Sequence, residues 1–459
     1  MPGIAAWEDD PRSSPAAEPV GRPVPSLDHA GLSLAIVGQQ PAARVYPSGT
    51  PGFRYWTAAD ALARSVRCWQ RAVPASTRWH KRRSLAVDLD AGDDLNAYYD
   101  RQQLCFFHAR VGGITVYSGE SPDVVCHELG HALLDAVRPQ LWNAASIEVA
   151  SLHESFGDIS AMLSALELAA VREDVLRVTA GRVSRASRVS RLAEQLGWAI
   201  RQSHPDAVDP DCLRNAVNSF FYRQPEGLPP MAPASALSSE PHSFSRVFTA
   251  AWLESLAGML ELRGEGAEAL LQVATDAGRL LVSAAAGARI TSNYFAQVAS
   301  ELLAADQRLT RGEYRAAIRR AFVGRGILSM ASASARVKQS AALGAGRRPR
   351  GGPLPVVEVP IDGRAFGLRL RRLLVEAPLG AARWSARSAA ADLGPLAAAP
   401  PERASRAFVE DLLRRGRVDT SGVTPHAQPG FRAGRTTHAF VREGRDVRLI
   451  RRLFHERPE

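Results

Sequence analysis

Lysine is nearly absent: of the 57 lysine and arginine residues, only Lys81 and Lys338 are lysines, so the net charge of +10 is carried by arginine. With abundant alanine, that bias fits genome composition as well as it fits an anionic partner. No nucleic-acid recognition motif accompanies it, so nucleic acid is not the expected partner. Cysteine is scarce and dispersed. Cys68, Cys105, Cys126 and Cys212 form no CxxC pair, which argues against a disulfide framework and against a cysteine zinc site, and buried thiols are expected instead. No run of about 18 apolar residues occurs, so nothing reads as a membrane span. The stretch Met1–Asp10 lacks the basic start and apolar core of a secretory leader. The expected compartment is the cytoplasm, with export by a leader-independent route as the alternative.

An apolar content of 46% and a charged content of 23% are those of a globular protein, and 459 residues suffice for two or three cores. Residues 1–30, rich in Pro, Ser and acidic side chains, read as a disordered tail. A helix is expected to start at Thr57, followed by strands at Ser84–Leu89, Leu104–Phe107 and Ile114–Tyr117. Ser121-Pro122-Asp123 is a helix start, with Ser as cap and Asp near the positive dipole end, and that helix stops before Pro139. Further helices are expected over about 146–170, 194–203, 244–262, 266–287, 292–305 and 311–323. Residues 331–352 read as a basic linker, with its Gly and Arg concentrated in Gly344–Gly352. Alternating segments such as His438–Arg442 and Val447–Ile450 suggest a small β-containing module over 353–459. No internal repeat is evident.

The chemistry concentrates in Cys126-His127-Glu128-Leu129-Gly130-His131. Residues four apart share a helix face, so His127 and His131 can aim imidazoles at one ion. A catalytic zinc takes three protein ligands and leaves one position open. Glu128, one residue on, points beside the metal, where it can take a proton from the attacking water. The alternative is two surface histidines on an amphipathic helix. A third ligand of the metzincin type fails, because the required glycine and histidine positions hold Leu134 and Val137. Downstream, Glu154 and Asp158 are four apart among Leu152, Phe156, Ile159 and Met162, where unpaired carboxylates would be costly. One can bind zinc while the other holds a ligand histidine; a solvated helix face is the competing reading. His153 is a rival ligand, but as the immediate neighbour of Glu154 it should face elsewhere.

In this arrangement the chain resembles the thermolysin-like neutral metallopeptidases, in which His-Glu-x-x-His is followed on a second helix by Glu and, four residues later, Asp. The resemblance extends over about residues 50–328. Asn96-Ala97-Tyr98-Tyr99 is similar to the family's edge segment, which implies that Asn96 and Ala97 pair with a peptide substrate as an added strand. Leu213-Arg214-Asn215 resembles the segment whose arginine grips the substrate on the leaving side. Pro241-His242-Ser243 resembles the one whose histidine stabilises the tetrahedral intermediate. The implied fold is α+β, a two-lobed zincin, with a mixed-sheet N-terminal lobe over 31–140 and a helical lobe over 141–330. Val124 and Leu213 match the lining of an apolar leaving-side pocket.

The chain also departs from the family. The family's oxyanion-binding tyrosine, eleven residues after the second zinc histidine, is Trp142 here. An indole N–H still donates, so Trp142 is carried as a substrate-binding residue, but activity could be lower. Asp123 matches one calcium ligand, yet no carboxylate cluster follows between Met162 and Val175, so no structural calcium is expected. The long stretch between Glu154 and Arg214 is read as an extra helical hairpin. No Gly-x-Met-Glu-Asn element seats a free N-terminus, which favours an endopeptidase over an aminopeptidase. The implied activity is hydrolysis of peptide or protein substrates with Zn2+ as cofactor. Two alternatives are a catalytically weak fold serving as a scaffold, and a binder of anionic partners through the Arg-rich residues 331–459.

Overall fold

The computed structural model of the chain describes residues 3–330, 356–368, 370–379, 399–421, 423, 436–444 and 446–455. It opens with a hairpin, β1 (Ile4–Ala6) antiparallel to β2 (Val20–Arg22). Ile4 and Ala6 pack on Trp56 and Ala59, and the Trp7 N–H donates to the Thr57 hydroxyl at 2.9 Å. The expected loose tail is therefore corrected to a docked segment. Its acidic residues, which suggested solvation, are partnered: Asp9 meets Arg188 at 2.7 Å and Asp10 accepts from the Ser121 hydroxyl at 2.6 Å.

There follow β3 (Ser33–Ile36), α1 (Pro51–Gln70), β4 (Ser84–Asp88), β5 (Ala97–Tyr99), β6 (Gln103–Phe106), β7 (His108–Val111) and β8 (Ile114–Tyr117). Helix α1 starts about two turns before Thr57, because Thr50 caps it by accepting from the Phe53 N–H and Pro51 takes the first turn. The Thr57 hydroxyl serves the N-terminal hairpin instead. Strands β3, β4 and β6 run parallel, and β5 joins β6 antiparallel.

The helical part comprises α2 (Pro122–Val137), α3 (Ile147–Ala165), α4 (Ala169–Thr179), α5 (Glu194–Arg201), α6 (Pro241–Arg263), α7 (Ala267–Gly287), α8 (Tyr294–Leu309) and α9 (Arg315–Gly324). Every residue of α3 is buried, so it is the central rod of the helical layer. The expected hairpin between Glu154 and Arg214 is corrected to two separate short helices, α4 and α5. Between them lies β9 (Arg191–Leu192), which pairs antiparallel with β10 (Arg214–Asn215) and brings Arg214 in towards α3.

The linker Gly344–Gly352 lies outside the described residues. Beyond it come β11 (Val357–Ile361), β12 (Leu373–Ala377), α10 (Pro401–Arg414), β13 (Val418–Asp419), β14 (His438–Glu443), β15 (Asp446–Arg451) and β16 (Phe454–His455). The module is a five-stranded sheet ordered β11-β12-β15-β14-β13 with a helix. It is joined to the helical layer by backbone bonds: Ala145 N–H donates to the Glu376 carbonyl and Leu379 N–H to the Ile290 carbonyl, both at 2.7 Å. Its last strand, β16, leaves the module and pairs antiparallel with β5, completing the order β16-β5-β6-β4-β3 in the first sheet. The architecture is mixed helix and sheet, of the α+β kind. Among the described residues no helix is long and apolar enough to cross a membrane.

Candidate metal centre

Helix α2 is anchored at its start by Ser121, whose hydroxyl accepts from the Val124 N–H and donates to Asp10. One turn in, His127 and His131 face α3. The two helices approach closely because each carries a glycine at the crossing. A Cβ on Gly157 would sit 2.6–2.7 Å from the His127 ring, and one on Gly130 would sit 2.9 Å from the Gly157 Cα. This close approach lets a carboxylate from α3 reach imidazoles on α2.

The His127 and His131 Nε2 atoms are 3.1 Å apart, and Glu154 Oε2 lies 3.4 and 3.5 Å from them. Zinc bonds of ~2.0–2.1 Å at tetrahedral angles place ligand atoms roughly 3.3 Å apart, so this triangle has the size of one face of a zinc tetrahedron. Glu154 is buried, and the imidazole nitrogens of His242, His127 and His131 lie 3.2–3.5 Å from its Oε2, so the carboxylate is gathered with the two α2 histidines as a ligand set would be. Burial alone would raise the Glu154 carboxyl. The imidazoles of His242, His131 and His127 outweigh it and hold the carboxyl well below its usual range. The donor set therefore fits a divalent metal ion that takes nitrogen and oxygen ligands. Glu128 is wholly buried beside the two histidines, within a group whose ligand atoms lie within 4.8 Å of one another.

Behind the triangle, His127 Nδ1–H donates to Asp158 Oδ1 at 3.1 Å, and Arg214 clasps the same carboxylate through Nη2 at 2.8 Å and Nε at 3.4 Å. Burial would raise Asp158, but Arg214 and His127 hold it below the ordinary carboxylate value. Arg214, expected to grip substrate, is thus turned onto the residue that orients a ligand histidine.

His242, at the start of α6, donates Nδ1–H to Glu240 at 2.6 Å and Nε2–H to the His455 carbonyl oxygen at 2.7 Å, with Glu154 Oε2 at 3.2 Å. Burial pushes its pKa down, but the Glu154 and Glu240 carboxylates prevail and raise it to about 9. A cationic imidazole aimed at a carbonyl oxygen results.

The other expected site residues lie around this centre. Asn96 and Ala97 lead into β5, whose outer edge is paired with β16, and the Asn96 side chain accepts from the Ala97 N–H at 2.9 Å. The Trp142 indole N–H donates to the Arg451 carbonyl at 3.1 Å, so in this structure it is directed at the C-terminal module. His153 is buried beneath Phe454, ring centroids 4.1 Å apart, with the His131 ring 5.7 Å away, and burial pushes its pKa well down. Leu213 lines a cleft of about 420 Å³ beside His242, but two arginines, Arg214 and Arg246, share its walls and Val124 does not. The expected apolar pocket is corrected to a mixed one.

Glu240, Arg451, Phe454 and His455 were not singled out from the sequence. Glu240 had a signal, since an acidic residue before Pro241 is a helix cap. The other three carry none, because they reach the site from the far end of the chain. The surroundings of Asp123 were not visible in the sequence. Its carboxylate neighbours are not in Met162–Val175; they are Asp10 and Glu194, and the ligand atoms of all three lie within 4.8 Å of one another. Burial raises Glu194 to about 10 and Asp10 to about 6, and neighbouring carboxylates add to both.

Compared with known proteins, the sequence matches no family model, and no curated protein matches it.

Proposed function

We propose that the chain is a zinc-dependent endopeptidase of the thermolysin-like zincin kind, hydrolysing peptide bonds with Glu128 as general base. The observation that carries this reading is the buried triangle of His127 Nε2, His131 Nε2 and Glu154 Oε2, with edges of 3.1–3.5 Å, beside a buried glutamate. Zinc held there would supply Lewis acidity, polarising a carbonyl and making the attacking water more acidic. Glu128 accepts the proton of that water and passes it to the leaving amine. His242, whose Nδ1–H is held by Glu240, offers its Nε2–H to the oxygen on which charge develops. Asp158 fixes the His127 tautomer from behind, and Arg214 fixes Asp158. The edge of β5 that β16 now pairs with is where an extended peptide would add as a strand.

The anionic-partner reading rests on the arginines of residues 331–459. Among the described residues Arg364, Arg414, Arg448 and Arg452 each lie within 2.9 Å of a carboxylate, so these four are engaged within the chain. The scaffold reading draws on Trp142, whose N–H is committed to Arg451. The test is metal analysis combined with cleavage of an unstructured peptide. Glu128→Gln should keep stoichiometric zinc while its cleavage falls at least ~10³-fold below that of a chelator-sensitive wild type. Protein that binds zinc but cleaves nothing, in the wild type and in Phe454→Ala alike, would favour the scaffold reading.

A further inference from the structure

We infer that Phe454–His455 is a built-in competitive inhibitor: the C-terminal strand occupies the place of a peptide substrate and keeps the cleft closed until it is displaced. The inference rests on the peptidase reading for the meaning of the site, but not for the occupation of the cleft. Strand β16 is antiparallel to β5, with Phe454 opposite Tyr99 and His455 opposite Tyr98, so it occupies the edge that an added strand would use. The His455 carbonyl accepts from His242 Nε2 at 2.7 Å, the donor assigned above to a reacting carbonyl. The Phe454 ring stacks on His131 at 4.8 Å and on His153 at 4.1 Å, and it meets Trp142 edge-on at 5.4 Å. Main chain, carbonyl and side chain are thus all engaged, as they would be in a bound peptide.

The strand is also held just upstream. The Arg451 carbonyl accepts from the Trp142 indole, its guanidinium donates back to the Trp142 carbonyl at 3.0 Å, and its N–H donates to Asn143 at 3.1 Å. A tethered ligand acts at an effective concentration of roughly millimolar or more. A free peptide therefore binds only the open fraction of molecules, and its apparent affinity falls by that fraction.

Two full-length variants test this, Phe454→Asp and the milder Phe454→Ala, each checked for zinc content and a cooperative thermal transition. In a Glu128→Gln background, a fluorescein-labelled copy of Leu449–His455 is titrated by anisotropy; with Glu128 intact, cleavage of a quenched unstructured peptide is followed. The variants should bind the labelled peptide at least about tenfold more tightly than the chain with Phe454, and cleave correspondingly faster. Tighter binding with no cleavage by any form would leave the inhibitory strand standing and sink the peptidase reading. Equal binding and equal cleavage in folded variants would sink the inhibitory strand and leave the peptidase reading. Wild-type cleavage of its own peptide bond after His455 would make the segment a substrate and also overturn the inference.

Discussion

His127 is gripped from two sides. Its Nε2 faces His131 and Glu154, while its Nδ1–H is tied to an aspartate that a guanidinium holds in turn. Outer partners of this kind fix tautomer and ring orientation, and losing one typically weakens metal binding about 10- to 100-fold. Asp158→Asn should therefore lower zinc affinity by that order in a chelator competition while the fold persists; unchanged affinity would show that the contact is incidental. At this scale much was legible. A pair of histidines four apart, and carboxylates four apart within an apolar stretch, are local patterns whose physical cost of burial points to a partner. The role of Arg214 was not legible, because β9–β10 pairing turns it onto Asp158, and nothing in Leu213-Arg214-Asn215 specifies that pairing.

The helices that carry these groups are ordinary in capping and exceptional in burial. Helix α3 begins with Ser146 accepting from the Val149 N–H, and its second residue, Glu148, binds two other elements. Tyr222 donates to its Oε1 at 2.6 Å and the Phe295 N–H, in the first turn of α8, to its Oε2 at 2.7 Å. Burial nonetheless raises Glu148 from 4.5 to about 8. Below pH 4.5 it is protonated in both folded and unfolded chains. Between 4.5 and 8 the folded chain keeps a proton that the unfolded chain releases, so stability falls as pH rises, by up to about 1.4 kcal/mol per pH unit. Denaturant unfolding of the wild type and of Glu148→Gln across that window should diverge in this direction; parallel curves would contradict it. Helix positions were legible from periodicity and caps. The start of α1 was misplaced because Thr50-Pro51 and Thr57 both look like caps, and only the hairpin that uses the Thr57 hydroxyl separates them.

The whole molecule is organised around one seam, where the C-terminal module meets the helices that carry His127, His131 and Glu154 and lends a strand to the N-terminal sheet. None of this was readable in advance. Pairing of Phe454 with Tyr99 spans most of the chain, and neither segment carries a local mark of the other. The docked N-terminal hairpin was hidden in the same way, since the partners of Asp9 and Asp10 lie at Arg188 and Ser121. With a strand seated over the site, access to the metal ligands depends on the full chain, so the central claim is best tested on the full chain. The measurement is X-ray absorption at the zinc edge of the stoichiometrically loaded protein. It should show a first shell of nitrogen and oxygen at roughly 2.0–2.1 Å with two imidazole signatures, reduced to one in His131→Ala. Failure to retain one zinc per chain, or sulfur scattering near 2.3 Å, would contradict the account.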